Sequence, residues 1–143
     1  MQFYDLREVY FSIGGRQLHS GKLEQLTSKP TTRAVVSNAD KGMPVISLRD
    51  PKTITYIFNI EVTLGSYDYI LLTEISNDQF YNMDVSKYEK MLNLVFNDRI
   101  VTKIITNYAI FTEEPSRSYS SEAEKVTFEI RAINCQKTNS NKN

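Results

Sequence analysis

Catalysis needs groups that converge on one point, and this 143-residue chain offers few of them. Its one histidine, His19, stands in "RQLHSGK" directly after a glycine turn, so a histidine-rich metal site is impossible. A serine–histidine pair would rest on that residue alone, and a surface histidine without a chemical role is the simpler reading. The one cysteine, Cys135, excludes an internal disulfide and a multi-cysteine zinc site. It lies at the fraying end of the last predicted strand, a poor mount for a nucleophile. Glu113 and Glu114 are adjacent on an extended segment and point to opposite sides, so they cannot share a substrate. Asp78 and Asp84 share a loop in which calcium is conceivable, but the glycine-centred calcium pattern is absent. Gly14-Gly15 is a turn with no helix behind it, hence not a phosphate cradle. Nine tyrosines and seven phenylalanines alternate with apolar residues rather than with Lys or Arg, which points to a core instead of a base-stacking platform. No catalytic, cofactor-binding or metal-binding residue is assigned, and the chain does not read as an enzyme.

The elements that would have to position any site come next. The length suits one domain, burying roughly 70% of its unfolded surface. No apolar run approaches the ~20 residues of a membrane span. The start, "MQFYDLREVYF", lacks the basic and hydrophobic blocks of a secretory signal, and the lone thiol fits a reducing cytoplasm. Basic and acidic groups balance at 17 each, so no global field draws in nucleic acid. Residues 1–50, 51–98 and 99–143 carry +2, −4 and +2. That is either surface scatter or a set of complementary patches that meet when copies assemble.

Val9 to Leu18 predicts a hairpin around Gly14-Gly15, both free to take positive φ. Lys22 to Thr27 continues the sheet, and Lys29-Pro30 ends it. In residues 31–51, two short apolar arms containing Val35, Val36, Val45 and Ile46 flank a turn-rich centre that includes Met43. A protruding apolar hairpin of this kind wants a partner. From Lys52 to Leu64 the even positions are apolar, which predicts a strand of roughly 40 Å. Thr53, Thr55, Asn59, Glu61 and Thr63 then share the opposite, polar face, with Ile57 as the exception. Ser66 caps a helix over about 66–76 whose stripe is Tyr67, Ile70, Leu71 and Ile75, with Asp68 at its positive end. Residues 77–90 read as a loop. Met91–Phe96 and Ile100–Ile105 form a second hairpin, its second arm running toward Thr112, and Val126–Ile133 is the last strand. The expectation is a mainly β chain: an antiparallel β-barrel or sandwich of six to eight strands with one α-helix packed on it. One domain spans 1–134, and 135–143 is a flexible tail.

This order of elements, with "ISLRDPKTITYIFNIEVTL" leading into "GSYDYILLTEIS" and "EKVTFEIRAIN" closing, resembles the tail tube proteins of tailed bacteriophages and the tubes of contractile injection systems. In that group a long amphipathic strand leads into a helix that opens with serine and an acidic or amide residue. Ser66, Asp68, Leu71 and Leu72 occupy that pattern. The resemblance runs from about residue 5 to 134 and is one of topology and texture. It implies a structural virion protein whose copies form stacked, six-fold rings, a conduit for DNA ejection. It implies that Thr53, Thr55, Asn59, Glu61 and Thr63 face the lumen, polar and non-basic so that DNA slides through, in keeping with the −4 of the middle segment. Arg33, Val35, Val36, Met43, Val45 and Ile46 then belong to an inter-subunit loop reaching a neighbouring ring. The implied partners are further copies, with sheath, baseplate and tape-measure proteins; DNA passes without specific binding, and no cofactor or membrane is involved. The implied location is the virion tail, assembled in the host cytoplasm. Two other readings stay open: an adaptor, baseplate or tail-terminus protein of the same fold, and a soluble β-barrel binding module.

Overall fold

The computed structural model of the protein describes residues 8–18, 25–38, 44–81 and 91–139. Strict alternation builds its sheet. Strand β1 (Tyr10–Ile13) turns through Gly14 and Gly15, at φ 61° and 79°, into β2 (Arg16–Gln17). Two successive positive φ values are what a primed hairpin turn demands, and glycine meets them without steric cost. β3 (Gln25–Pro30) follows, then β4 (Ala34–Asn38) and β5 (Pro44–Leu48), which pair only with each other among the described residues. A 3-10 turn, Pro51–Thr53, leads to β6 (Tyr56–Thr63), the helix α1 (Tyr67–Tyr81), and the strands β7 (Leu92–Asn97), β8 (Thr102–Phe111), β9 (Lys125–Ile133) and β10 (Gln136–Asn139).

The main sheet is antiparallel in the order β2-β1-β7-β8-β9-β6-β3, with β10 added to β8 beyond the end of β9. It does not close, so the barrel alternative falls and a folded-over open sheet takes its place. The fold-over is visible in the core. Phe11 of β1 and Phe58 of β6 are separated by three strands in the sheet, yet their rings meet edge to face at 5.4 Å. Phe96 of β7 closes on Phe58 from the same side at 5.5 Å. Tyr56, Phe58, Ile60 and Val62 of β6, with Val126, Phe128, Ile130 and Ala132 of β9, form the buried row. Fully burying such a side chain contributes about 1.5–3 kcal/mol; these two rows lie side by side on neighbouring strands and form the surface onto which Phe11 and Phe96 fold.

Several sequence expectations change here. The 52–64 strand is shorter: Lys52 and Thr53 lie in the 3-10 turn, leaving eight residues, about 26 Å at strand rise. Asp50 is the reason, since its side chain accepts from Lys52 N–H and its carbonyl from Thr53 N–H and Oγ1. Helix α1 begins as expected, with Gly65 at φ 87° in the approach and Ser66 Oγ accepting from Tyr69 N–H. It then runs five residues past 76, through part of the expected 77–90 loop; residues 82–90 are outside the described residues. Its buried stripe is Asp68, Leu71, Leu72, Ile75 and Gln79, whereas Tyr67 and Ile70 are half exposed on the outer face.

The expected tail from 135 onward also differs. Cys135 is buried, not frayed, and Gln136–Asn139 form β10. Asn134, at φ 54°, tolerates the left-handed region that lets the chain step from β9 to β10. On the side of β8 that takes β9 and then β10 the register is unbroken: Tyr108 faces Ile133 and Ile105 faces Gln136. Residues 140–143 of that tail lie outside the described residues.

Candidate assembly surfaces

The face of β6 away from the core carries Ile57, Asn59, Glu61 and Thr63, all half-buried. Thr55, one residue before the strand, is tied to Thr31 by a backbone bond at 2.9 Å and a side-chain bond at 3.3 Å. Thr53 is exposed within the 3-10 turn and does not continue the row. Cross-strand register sets the neighbours. On β3, Gln25, Thr27 and Lys29 face Glu61, Asn59 and Ile57. On β9, Lys125, Thr127, Glu129 and Arg131 stand opposite Thr63, Glu61, Asn59 and Ile57. Lys125 Nζ approaches Glu61 Oε1 to 3.8 Å. The face therefore has mixed sign, and the −4 of the middle sequence segment is not its property. The cross-strand neighbours of Ile57 are Lys29 and Arg131, whose long aliphatic stems suit an apolar residue on a polar row.

The lateral edges are open. Among the described residues β3 pairs only with β6, β2 only with β1, and β10 only with β8. Each presents an unpaired row of backbone donors and acceptors, a template for a strand of another chain.

The β4–β5 hairpin leaves the sheet at one strand end. Arg33 and Arg49 close its stem through a backbone bond of 2.8 Å, and Arg49 Nε donates to Thr32 O at 2.8 Å. Ile46 and Leu48 are 60% and 79% exposed. Val35, Val36 and Val45 fall within the two strands, and Met43 lies outside the described residues. Between the stem and β10 runs an open cleft of about 1060 Å³ bordered by Leu48, Ile54, Tyr56, Gln136 and Lys137. Lys137 Nζ lies over the Tyr56 ring at 5.9 Å.

Three titratable groups are set by their surroundings. Partial burial pushes the Asp98 carboxyl up, but the N–H groups of Thr102, Ile100 and Val101, assisted by Lys137, outweigh it and hold it below the ordinary value. Burial lowers the Arg117 guanidinium, but its bond to Tyr69 Oη and its bond to and the charge of Glu114 outweigh that, to a net rise. Burial pushes the Cys135 thiol up to about 11; its Sγ–H donates to Ala132 O at 3.0 Å. A thiol so protonated is a weak nucleophile. No group of three or more His, Cys, Asp or Glu side chains at metal-binding spacing occurs among the described residues. His19 and Asp84 are outside them.

A family model described as "Domain of unknown function (DUF1463)" matches residues 3–140. The chain belongs to the DUF1463 family. No curated protein matches it. Among solved structures, this DUF1463 chain is similar to a chain in the virion of a native gene transfer agent particle. The TM-score is 0.60 at 9% identity, over 92% of this chain and 95% of that one. It is also similar to a chain in the sheath–tube complex of an extracellular contractile injection system, PVC, in the extended state. There the TM-score is 0.57 at 9% identity, over 94% and 90%. Identities this low speak to fold alone. The DUF1463 chain has the fold of these two chains, in line with the tail-tube resemblance of its sequence.

Proposed function

We propose that the protein is a structural subunit of a phage-like tail, polymerising as stacked rings into the tube. The observation that carries this reading is the open sheet. Its outermost strands are unpaired among the described residues, while one face is core and the other polar, within a fold shared with a gene transfer agent virion and an injection-system sheath–tube complex. Copies joined edge to edge extend that sheet around a ring, and the closed ring removes the edges. The six-fold symmetry is the one the tail-tube resemblance implies.

In this arrangement Asn59, Glu61 and Thr63 line the bore, with Thr55 and Thr53 toward one mouth; Ile57, expected at a subunit contact, instead has Lys29 and Arg131 of its own chain on either side. Lys125 beside Glu61 and Arg131 beside Ile57 keep the lining from being strongly acidic, and Glu61 and Glu129 keep it from being strongly basic. A mixed polar wall gives DNA little to adhere to, because retention grows with the number of phosphates neutralised. The β4–β5 hairpin reaches a neighbouring ring. Sheath, baseplate and tape-measure proteins are the further partners, the virion tail is the location, and assembly takes place in the host cytoplasm. The protein acts as a wall and conduit rather than as an enzyme.

Sedimentation velocity over a wide concentration range tests the reading. The expected result is a shift from monomer to a discrete ring-sized species and then to longer stacks. A strict monomer at the highest concentration contradicts it.

A further inference from the structure

The charges sort by strand end, a pattern hidden in the sequence. β6 begins at the hairpin end, and β9 finishes there, Tyr56 facing Ala132. β10 and the β7–β8 turn lie at the same end, since Asn139 faces Thr102. This end exposes Arg33, Arg49, Lys52, Lys137 and Arg99. Its acids among the described residues are Asp50, Asp98 and Glu8; the first two are engaged by backbone N–H groups of Lys52 and of Ile100, Val101 and Thr102, and Glu8, two residues before Tyr10 opposite Asn97, is exposed.

The opposite end is formed where β6 stops at Thr63, facing Lys125, and where residues 112–124 return across it; Leu64 N–H donates to Glu124 O at 2.8 Å. Glu113, Glu114, Glu122 and Glu124 are all exposed there. Its bases are held by acids: Arg117 NH1 lies 3.2 Å from Glu114, and Lys125 lies 3.8 Å from Glu61. Among the described residues the hairpin end is therefore net basic, with five exposed cations against three carboxylates, and the opposite end is net acidic, while the whole chain is neutral.

We infer that the two strand ends are complementary axial interfaces, the basic end of one copy seating on the acidic end of the next. This rests on the tube reading and deepens it. If sheets join laterally, their strands run at a tilt of about 35–45° to the bore, so the strand ends face the neighbouring rings. Opposite signs then attract, and a copy turned upside down meets like charge, so the tube acquires one polarity. The exposed Ile46 and Leu48 rise from the basic end and cross the contact with it, and the cleft beside β10 lies at the same junction.

Two double variants test the inference. Lys52→Glu with Lys137→Glu makes both ends acidic; Glu122→Lys with Glu124→Lys makes both ends basic. All four side chains are exposed, so the fold, checked by circular dichroism, should be kept, with a modest loss of stability where Lys137 leaves Tyr56 and Asp98. Stacking is read by negative-stain microscopy and light scattering. Each variant alone is expected to form rings whose stacking is weakened at least about tenfold. An equal mixture should stack again, and wild-type stacks should shorten as salt rises from about 0.1 M to about 1 M, where screening reaches about 3 Å. Variants that each stack like wild type, or a mixture that fails to recover, overturn the inference while leaving the rings, and the tube reading, standing. Stacking that requires added DNA also overturns it, since the basic end would then be serving phosphate. A wild-type chain that forms no rings at any salt concentration overturns the tube reading and this inference together.

Discussion

The carboxylate of Asp98 accepts the N–H groups of Ile100, Val101 and Thr102 at 2.9–3.0 Å across the turn between β7 and β8. Arg99 within that turn holds φ 65°, a conformation a large side chain adopts only when its surroundings hold it there. Removing the acceptor in Asp98→Ala should cost about 1–2 kcal/mol in chemical denaturation. The pH dependence has a definite sign. The folded carboxyl titrates below the unfolded one, so its stabilisation is complete above the ordinary carboxylate range near ~3.9. It is lost as the pH falls through the lower, folded value. The stability gap between wild type and Asp98→Asn should therefore be widest near neutrality and close in acid; a constant gap from about pH 7 to pH 3 would contradict this role. Asn97-Asp98 is legible in sequence as a turn, but nothing in the residue order says that one carboxylate serves three donors.

At the scale of elements, α1 is held at its far end by Gln79. Its Nε2 donates to Ala109 O at 3.0 Å, and its Oε1 accepts from Phe111 N–H at 2.9 Å. β7 pairs with β8 only as far as Ala109, so the side-chain amide takes over where strand pairing stops. Gln79→Ala would leave both backbone groups without that partner, at about 1–3 kcal/mol each, and thermal unfolding should show a total loss of roughly 2–6 kcal/mol. Gln79→Glu should also destabilise, because a carboxylate cannot donate to Ala109 O; a neutral effect of both substitutions would rule out the anchor. This contact is why the helix outlasts its apparent stripe: the residue buried after Ile75 is polar, and apolar spacing cannot register it. β10 is missed for a similar reason, since Gln136–Asn139 has no alternation and is recruited only by the continuing edge of β8. In β8 itself, Thr106 accepts from Tyr108 N–H and donates to Ile133 O. The buried positions shift there from Ile104 and Thr106 to Ala109 at a register irregularity. By contrast β6 and β9 alternate between buried core and outer positions that are polar except for Ile57 and Ile133, and both strands are legible from sequence alone.

For the whole molecule, the sequence conveys a β fold with one capped helix and a polar row on β6, because those features depend on near neighbours in the chain. The open sheet, the charge-sorted ends and the mixed sign of the non-core face depend on which strands become neighbours, and no local pattern encodes that. Lys125 and Glu61 are sixty-four positions apart in sequence and meet only through the pairing of β6 with β9. The central claim is that copies join by their sheet edges into a ring whose bore is lined by that non-core face. A cryo-electron microscopy map of the assembled protein, at a resolution that traces side chains, tests it most directly. The expected map is a closed ring with continuous sheet hydrogen bonding between subunits and Asn59, Glu61 and Thr63 on the inner wall. A map with Glu61 on the outer wall, or buried in a contact between separate closed monomers, would contradict the account.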